Sequence, residues 1–297
     1  GRYDQALPLA QRAQAILAKA NGSEHPNLGA NLSLLAALYE DMGLYEQALP
    51  LYQRSIAISE MAQGHEGPST SSDLNNLAGL YQVMGRYDQA LPLYLRALSI
   101  AGRTSDPLLN SSLGTNLMWT YSQKRKGPNG AIFFRPKLAI WFGKQSIKSI
   151  QAVRSHMQGL EKGLQKSFLQ KHQNTYQFLA SLLIDAGRLA EAEQVLNMLK
   201  ERELTETVRS SAMSSHLATV DDVGVEKVAS ERLARLQERG SKDAAELAAL
   251  ETRIKQGAEL SAAEEARRQA LIVAAEAWRA DFQRFIDGLD DLFKENT

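Results

Sequence analysis

The fold is decided by a short sequence, Gly85-Arg86-Tyr87-Asp88-Gln89-Ala90-Leu91-Pro92-Leu93, that occurs three times in the chain. An identical copy occupies residues 1–9, and residues 43–51 hold the variant Gly-Leu-Tyr-Glu-Gln-Ala-Leu-Pro-Leu. The copies are spaced by 42 residues. Internal repetition with a period of about 20–50 residues is typical of solenoid proteins, in which each repeat packs against its neighbours.

Each repeat predicts two helices, here named helix A and helix B. In helix A the apolar residues recur at spacings of three, one and three (Leu74, Leu77, Ala78 and Tyr81), which places them on one face. Helix B carries a second apolar stripe (Tyr87, Ala90, Tyr94 and Ala97). Gly85 separates the two, because glycine accepts the left-handed backbone that ends a helix. One such pair cannot bury its own stripe, so a stacked solenoid with A helices on its inner wall is expected.

Over residues 1–101 this pattern resembles the tetratricopeptide repeat. The 42-residue period, the His25-Pro26 loop and the helix start Leu74-Asn75-Asn76-Leu77-Ala78 resemble the variant found in kinesin light chains and their bacterial relatives. The resemblance implies an all-α fold with a right-handed superhelical solenoid. We expect it to span residues 1–203, to be degenerate from about residue 106, and to end in an oversized unit whose helix A extends back towards Glu161.

The second half of the chain resembles a narrower group. Residues 139–146, 158–160 and 182–199 are similar to the region that precedes the caspase-like CHAT domain in bacterial repeat proteins, a resemblance covering roughly residues 131–290. The family's catalytic domain carries a His and Cys pair, and this sequence contains no cysteine. The resemblance therefore implies a regulatory or recruitment segment and not the peptidase itself.

A long antiparallel helical hairpin is predicted for residues 225–297, after a linker over 204–224. Heptad spacing predicts an apolar seam in each arm. The first seam runs through Leu233, Leu236, Gly240, Asp243, Leu247, Leu250 and Ile254, and the second through Leu271, Ala275, Trp278, Phe282, Phe285, Leu289 and Leu292. Gly257 is expected to end the first arm, and Ser261 with Glu264 forms a capping box that begins the second. The seams are of the coiled-coil type and are compatible with pairing inside one chain or between two chains.

The candidate binding site is the predicted inner wall, where side chains of helix A can contact an extended peptide. Aligning the repeats gives the candidates Ser33, Leu34, Glu40, Asp41, Asn75, Asn76 and Gln82. Ala37 and Gly79 leave room between them, and the amides of Asn75 and Asn76 are the leading contacts. The alternative is that these asparagines only cap or solvate the helix start. Neither inner helix contains Lys or Arg, so we expect an internal peptide and not a C-terminal carboxylate.

A basic segment spans residues 124–171, with eleven Lys or Arg against the single acid Glu161. Its candidate patch residues are Lys124, Arg125, Lys126, Lys144, Lys148 and Arg154. Such a surface suits an acidic partner, nucleic acid or another part of the chain, and a solvated face is the alternative. The interleaved aromatic residues are more typical of a core than of base stacking.

Composition limits the function further. Lys plus Arg and Asp plus Glu are both 34, so the formal charge is zero, and the absence of cysteine excludes disulfides and thiolate metal sites. No apolar run reaches the roughly 20 residues that a membrane helix needs. We expect no catalytic residues, no cofactor, no metal, no membrane partner and a cytoplasmic location. Because Gly1 lies inside a repeat motif, we expect the sequence to be a fragment.

Three functions remain as hypotheses. The first is a protein-protein interaction scaffold that binds a peptide or partner segment, with a homodimer through the C-terminal hairpin as one option. The second is the sensing arm of a bacterial CHAT peptidase. The third is nucleic-acid contact through the basic segment, although nucleic acid is not expected as the main partner.

Overall fold

The computed structural model describes residues 2–64, 67–104, 106–126, 132–157, 160–207 and 220–294. Contacts between Cα atoms divide the chain into two compact units, Gly1–Thr104 and Ser105–Thr297. The division falls close to residue 106, where the repeat pattern degenerates.

The first unit consists of five helices in its described part. They are α1 (Tyr3–Asn21), α2 (Pro26–Asp41), α3 (Tyr45–Gln63), α4 (Pro68–Val83) and α5 (Tyr87–Thr104). Proline is the first residue of α2 and α4, a position where its missing N–H costs nothing. The Nδ1 atom of His25 accepts from the backbone N–H of Asn27 at 3.1 Å and caps α2. Gly43 and Gly85 follow the two A helices with φ angles of 75° and 73°, so they act as the predicted stops.

Helices of the first unit pack as the repeat predicts. α2 packs on α3, α4 packs on α5, and α3 joins the two pairs. Leu28, Leu32 and Ile58 form a buried cluster between α2 and α3. Ala78 and Ala90 are completely buried, which brings α4 and α5 close together. The predicted tandem helix pairs are confirmed.

The second unit contains six helices and one short β-hairpin among its described residues. They are α6 (Pro107–Ser122), β1 (Arg125–Lys126), β2 (Ile132–Phe133), α7 (Pro136–His156), α8 (Lys162–Asp185), α9 (Leu189–Thr207), α10 (Val225–Lys255) and α11 (Ala262–Lys294). The strands pair antiparallel, with Arg125 opposite Phe133 and Lys126 opposite Ile132. The sequence did not predict them. Residues 127–131 of the predicted basic segment and residues 208–219 of the predicted linker lie outside the described residues.

α10 and α11 form the predicted antiparallel hairpin. Ion pairs cross between the two helices at Arg239–Asp281, Glu246–Arg267 and Arg253–Glu264. Most residues of the predicted second seam are buried, namely Leu271, Ala275, Trp278, Phe282 and Leu289. α10 is one continuous helix across Gly240 and Asp243.

The hairpin turn has the predicted capping chemistry. Gly257 has a φ of 83°, and the capping box closes as Ser261 N–H donates to Glu264 Oε2 at 2.8 Å while Glu264 N–H donates to Ser261 Oγ at 3.3 Å. The Arg253 guanidinium, then the backbone and hydroxyl of Ser261, lower the pKa of Glu264 to about 2. The turn therefore holds an ionised carboxylate at neutral pH.

Candidate functional site

The first unit presents a solvent-exposed surface on α2 and α4 that we call the A-helix face. It consists of Leu34, Ala37 and Asp41 on α2 and the repeat-equivalent Asn76, Gly79 and Val83 on α4. The first and last residue of each set are seven apart, which places them on one side of the helix and about 10 Å apart along its axis. α2 also contacts α4 directly. Two neighbouring helices thus offer the same arrangement of side chains.

The middle of the A-helix face is open. Leu34 and Val83 are 55% and 54% exposed, high values for aliphatic side chains. A Cβ atom added at Gly79 would meet only the hydroxyl of Tyr94, at the ordinary contact distance of 3.7 Å. Gly79 therefore leaves space on a surface that also carries these two accessible apolar side chains.

Two of the predicted candidates hold helix A to helix B within a repeat. Glu40 accepts a hydrogen bond from the Tyr52 hydroxyl at 2.9 Å, and Gln82 accepts one from the Tyr94 hydroxyl at 2.9 Å. The tyrosines are repeat equivalents, so each helix B contacts its own helix A in the same way. Tyr52 and Tyr94 occupy the same position in successive repeats, and this was the sequence signal for these bonds. The bonds were not predicted from it.

Ser33 points inward as well. Its hydroxyl donates to Asp73 Oδ1 at 2.6 Å, and Ser59 donates to the other carboxylate oxygen of Asp73 at 2.6 Å. Asp73 is 7% exposed and lies on α4, so this bond network fixes α4 against α2 and α3. Asn75, the other leading amide, is half-buried beside it. The exposed predicted candidates are therefore Leu34 and Asp41, with Asn75 and Asn76 both half-buried.

Removing the two tyrosine hydroxyls one at a time compares a hydrogen bond to the carboxylate of Glu40 with one to the neutral amide of Gln82. Tyr52→Phe is expected to lower the free energy of unfolding by about 1.5–3 kcal/mol, and Tyr94→Phe by about 0.5–1.5 kcal/mol, since bonds to charged groups are stronger. Amide hydrogen exchange in α2–α5 measures both losses.

Acid should reduce the difference between the stability losses of Tyr52→Phe and Tyr94→Phe. Burial raises the pKa of Glu40, whereas the Tyr52 hydrogen bond lowers it and Asp41 raises it further. Tyr52→Phe therefore raises the pKa of Glu40 again, and its cost is largest above that pKa and shrinks as pH falls through it. Equal losses in the two variants at neutral pH would contradict this interpretation.

The basic segment does not form one exposed patch, which corrects the prediction for Lys144. Its side chain is completely buried. Lys148 pairs with Asp222, and Arg154 donates to Gln151 Oε1 at 2.9 Å. Lys124 is exposed, with its ammonium 5.2 Å from the centre of the Phe134 ring. The side chains of the other two patch candidates, Arg125 and Lys126, lie outside the described residues.

Lys144 belongs to a neutral group of two cations and two anions that we call the Lys144 cluster: Lys144, Arg188, Glu191 and Glu226. Lys144 Nζ donates to Glu191 Oε2 at 2.5 Å and to Glu226 Oε2 at 2.7 Å. Arg188 binds both carboxylates as well. Because each charge has partners of the opposite sign, the burial of Lys144 on α7 is compensated by α9 and the start of α10.

The described residues also limit other chemistry. They contain no group of three or more His, Cys, Asp or Glu side chains placed to hold a metal ion. Across the same part of the chain, no helix combines the length and apolar character that a bilayer crossing requires.

Comparison with known proteins identifies the repeats. Residues 1–61 and 30–103 match the tetratricopeptide repeat family, and together they make up about a third of the chain. No significant match was found among the curated proteins.

Two solved structures resemble the chain. BtubC (BKLC) from P. vanneervenii is 20% identical with a TM-score of 0.55, over 75% of this chain and 82% of that chain. The TPR-like repeats of a kinesin light chain candidate from Podosopora anserina are 23% identical with a TM-score of 0.45, over 71% of this chain and 90% of that chain. At such identity the first similarity concerns the fold alone. Tetratricopeptide repeats are typically scaffolds for protein-protein interaction.

Proposed function

We propose that the tetratricopeptide repeats of residues 1–103 bind an extended internal segment of a partner protein on the A-helix face. The observation that carries the proposal is the pair of exposed aliphatic side chains, Leu34 and Val83, on the same two neighbouring helices as the open position Gly79. Contiguous apolar patches on a protein surface mark sites of protein-protein interaction.

The arrangement of the A-helix face suits an extended chain. An extended segment rises about 3.3 Å per residue, so the separation along each A helix accommodates roughly three residues. Asn76 supplies an amide that can both donate to and accept from a peptide backbone. Leu34 and Val83 can contact apolar side chains of the same segment.

Charge defines the ligand further. α2 and α4 contain no Lys or Arg, and Asp41 is exposed at the end of α2. Such a surface repels a free carboxylate and attracts a cation. The proposed ligand is therefore an internal segment with apolar residues and a basic residue near Asp41.

A bulky side chain at the centre of the A-helix face tests the proposal. Peptides selected on the wild-type protein from a displayed library should bind Gly79→Leu at least about tenfold more weakly, since the leucine fills the space they need. Gln53→Leu, which adds an exposed leucine on α3, is the matched control and should bind normally.

One further variant refines the test. Asn76→Ala should weaken binding of the same peptides. Gln82→Ala is unsuitable as a test because it removes the hydrogen-bond acceptor for Tyr94. Fluorescence anisotropy gives the affinities. Selected peptides that bind Gly79→Leu and Gln53→Leu equally well would place the binding site elsewhere.

The other hypotheses stay predictions. A CHAT-associated sensing role rests on the sequence resemblance alone, and the parent gene beyond Thr297 tests it through a His and Cys pair. A homodimer through the hairpin is tested by light scattering, and most of its seam residues are already buried within the chain. Nucleic-acid contact through the basic segment cannot involve Lys144, which is buried. Binding of the chain to an immobilised oligonucleotide at low salt tests whether the other basic residues make such a contact.

A further inference from the structure

A second candidate site lies on the C-terminal hairpin, where α10 and α11 border an open, shallow depression of about 570 Å³ that we call the arginine pocket. Four arginines line it, together with two apolar residues: Arg232, Arg235, Arg239, Arg284, Leu236 and Phe285. The only acid in its lining is Asp281, which leaves an excess of three positive charges. The first three arginines are spaced by three and four residues, so they share one face of α10.

The arginines fall into two groups. Arg239 and Arg284 both pair with Asp281, which neutralises part of their charge. Arg232 and Arg235 are exposed and make no side-chain hydrogen bond or ion pair with any residue that the structure describes. Two guanidinium groups beside the depression are thus available to bind an anion, and guanidinium binds carboxylates with two parallel hydrogen bonds.

The floor of the arginine pocket is apolar. Leu236 and Phe285 are half-buried, and a Cβ atom built at Gly288 meets no other atom within 4 Å. An anion alone would leave this floor exposed to water. A ligand that carries an apolar side chain between acidic residues would cover the floor and pair with Arg232 and Arg235 at once.

The surroundings of the arginine pocket favour a short acidic peptide over nucleic acid. Exposed acidic residues lie close to the arginines in the sequence of both helices, including Glu231, Glu238 and Asp287. A polyanionic backbone that continued past the pocket would meet these carboxylates. Nucleic-acid surfaces instead present an extended positively charged track.

From this geometry we infer that the arginine pocket binds an acidic peptide segment of a partner protein, with an apolar side chain held between Leu236 and Phe285. This site is separate from the A-helix face and has the opposite charge preference. The chain would then hold two segments of different chemistry.

The test uses fluorescence anisotropy with the full chain. The probe is a fluorescein-labelled peptide of aspartates and glutamates around a central Leu-Phe pair. Arg232→Glu with Arg235→Glu should weaken binding at least about tenfold, since two attractions become repulsions. Lys227→Glu with Lys242→Glu makes the same charge change at exposed positions of α10 outside the pocket, and it should change binding by no more than about twofold.

Further arms separate the alternatives. Replacing Leu-Phe in the probe by Gly-Ser should weaken binding, and Gly79→Leu should leave it unchanged. The inference is overturned by equal losses in the two charge-reversal variants or by equal binding of the Leu-Phe and Gly-Ser probes. Tighter binding of a single-stranded oligonucleotide of equal charge, or loss of binding in Gly79→Leu, would overturn it as well. Circular dichroism confirms that each variant is folded.

Discussion

Replacing Lys144 by Met is expected to lower the free energy of unfolding of the second unit by about 3–5 kcal/mol. Lys144 is fully buried, and Glu226 is 3% exposed. Methionine fills a similar volume without charge, so the loss arises mainly from a carboxylate that keeps its burial and loses one of its cations. Arg188 remains close to both carboxylates but cannot replace the short bonds from the ammonium group.

Tryptophan fluorescence during urea unfolding measures this loss selectively. All three tryptophans, at positions 119, 141 and 278, lie in the second unit, so the signal reports that unit alone. Lys227→Met is the control, because its side chain is exposed on α10 of the same unit and the expected loss is about 1 kcal/mol or less. The double variant Lys144→Met with Glu226→Gln should recover much of the stability, since it removes both members of a buried pair. A loss for Lys144→Met no larger than for Lys227→Met would contradict the prediction.

Acid should also weaken the Lys144 cluster and so lower the free energy of unfolding of the second unit. Burial raises the pKa of Glu191, but the hydrogen bonds and charges of Arg188 and Lys144 outweigh it, so the pKa is lowered below 4.5. A carboxyl group whose pKa is lowered on folding contributes stability above its unfolded pKa, and this contribution is lost as pH falls through the folded pKa. The stability of wild type should therefore decline with acid more steeply than that of Lys144→Met.

The repeat architecture was readable from the sequence because its signals are local. Gly43 and Gly85 mark helix ends, Pro26 and Pro68 mark helix starts, and the period of 42 residues carries each assignment to the next unit. Heptad spacing and the capping box at Ser261 predicted the hairpin for the same reason. Such patterns depend on neighbours within a few turns of one helix.

The environment of individual charges was not readable in this way. Lys144 was predicted to belong to an exposed basic segment because charges were counted over neighbouring residues. Such a count contains no information about partners that are distant in the sequence. Its partners Glu191 and Glu226 are 47 and 82 residues away in the sequence. At the A-helix face, repeat alignment gave candidates on two neighbouring helices, but it could not show that the tyrosines of helix B donate hydrogen bonds to Glu40 and Gln82.

Trp141→Ala is expected to be as damaging as the loss of Lys144, at about 3–5 kcal/mol, because it removes the residue that joins α7 to both arms of the hairpin. The ring is fully buried, and its centre lies 6.2 Å from that of Phe285 and 6.0 Å from that of Phe293, both on α11. Its indole N–H donates to Ser230 Oγ on α10 at 3.0 Å. The alanine variant leaves a cavity among these aromatic rings.

Trp141→Phe separates packing from hydrogen bonding in this contact. It keeps most of the aromatic volume and loses only the bond to Ser230, which still accepts from Gln145 Nε2 at 2.8 Å, so a cost of about 1–2 kcal/mol is expected. Fluorescence of Trp119 and Trp278 follows unfolding of both variants, and hydrogen exchange of α10 and α11 locates the effect. Faster exchange throughout the hairpin in Trp141→Ala is expected, since the hairpin then loses its aromatic contacts with α7. Unchanged exchange there, with the loss confined to α7, would mean that the Lys144 cluster and the Arg135–Asp290 pair hold the hairpin without the tryptophan.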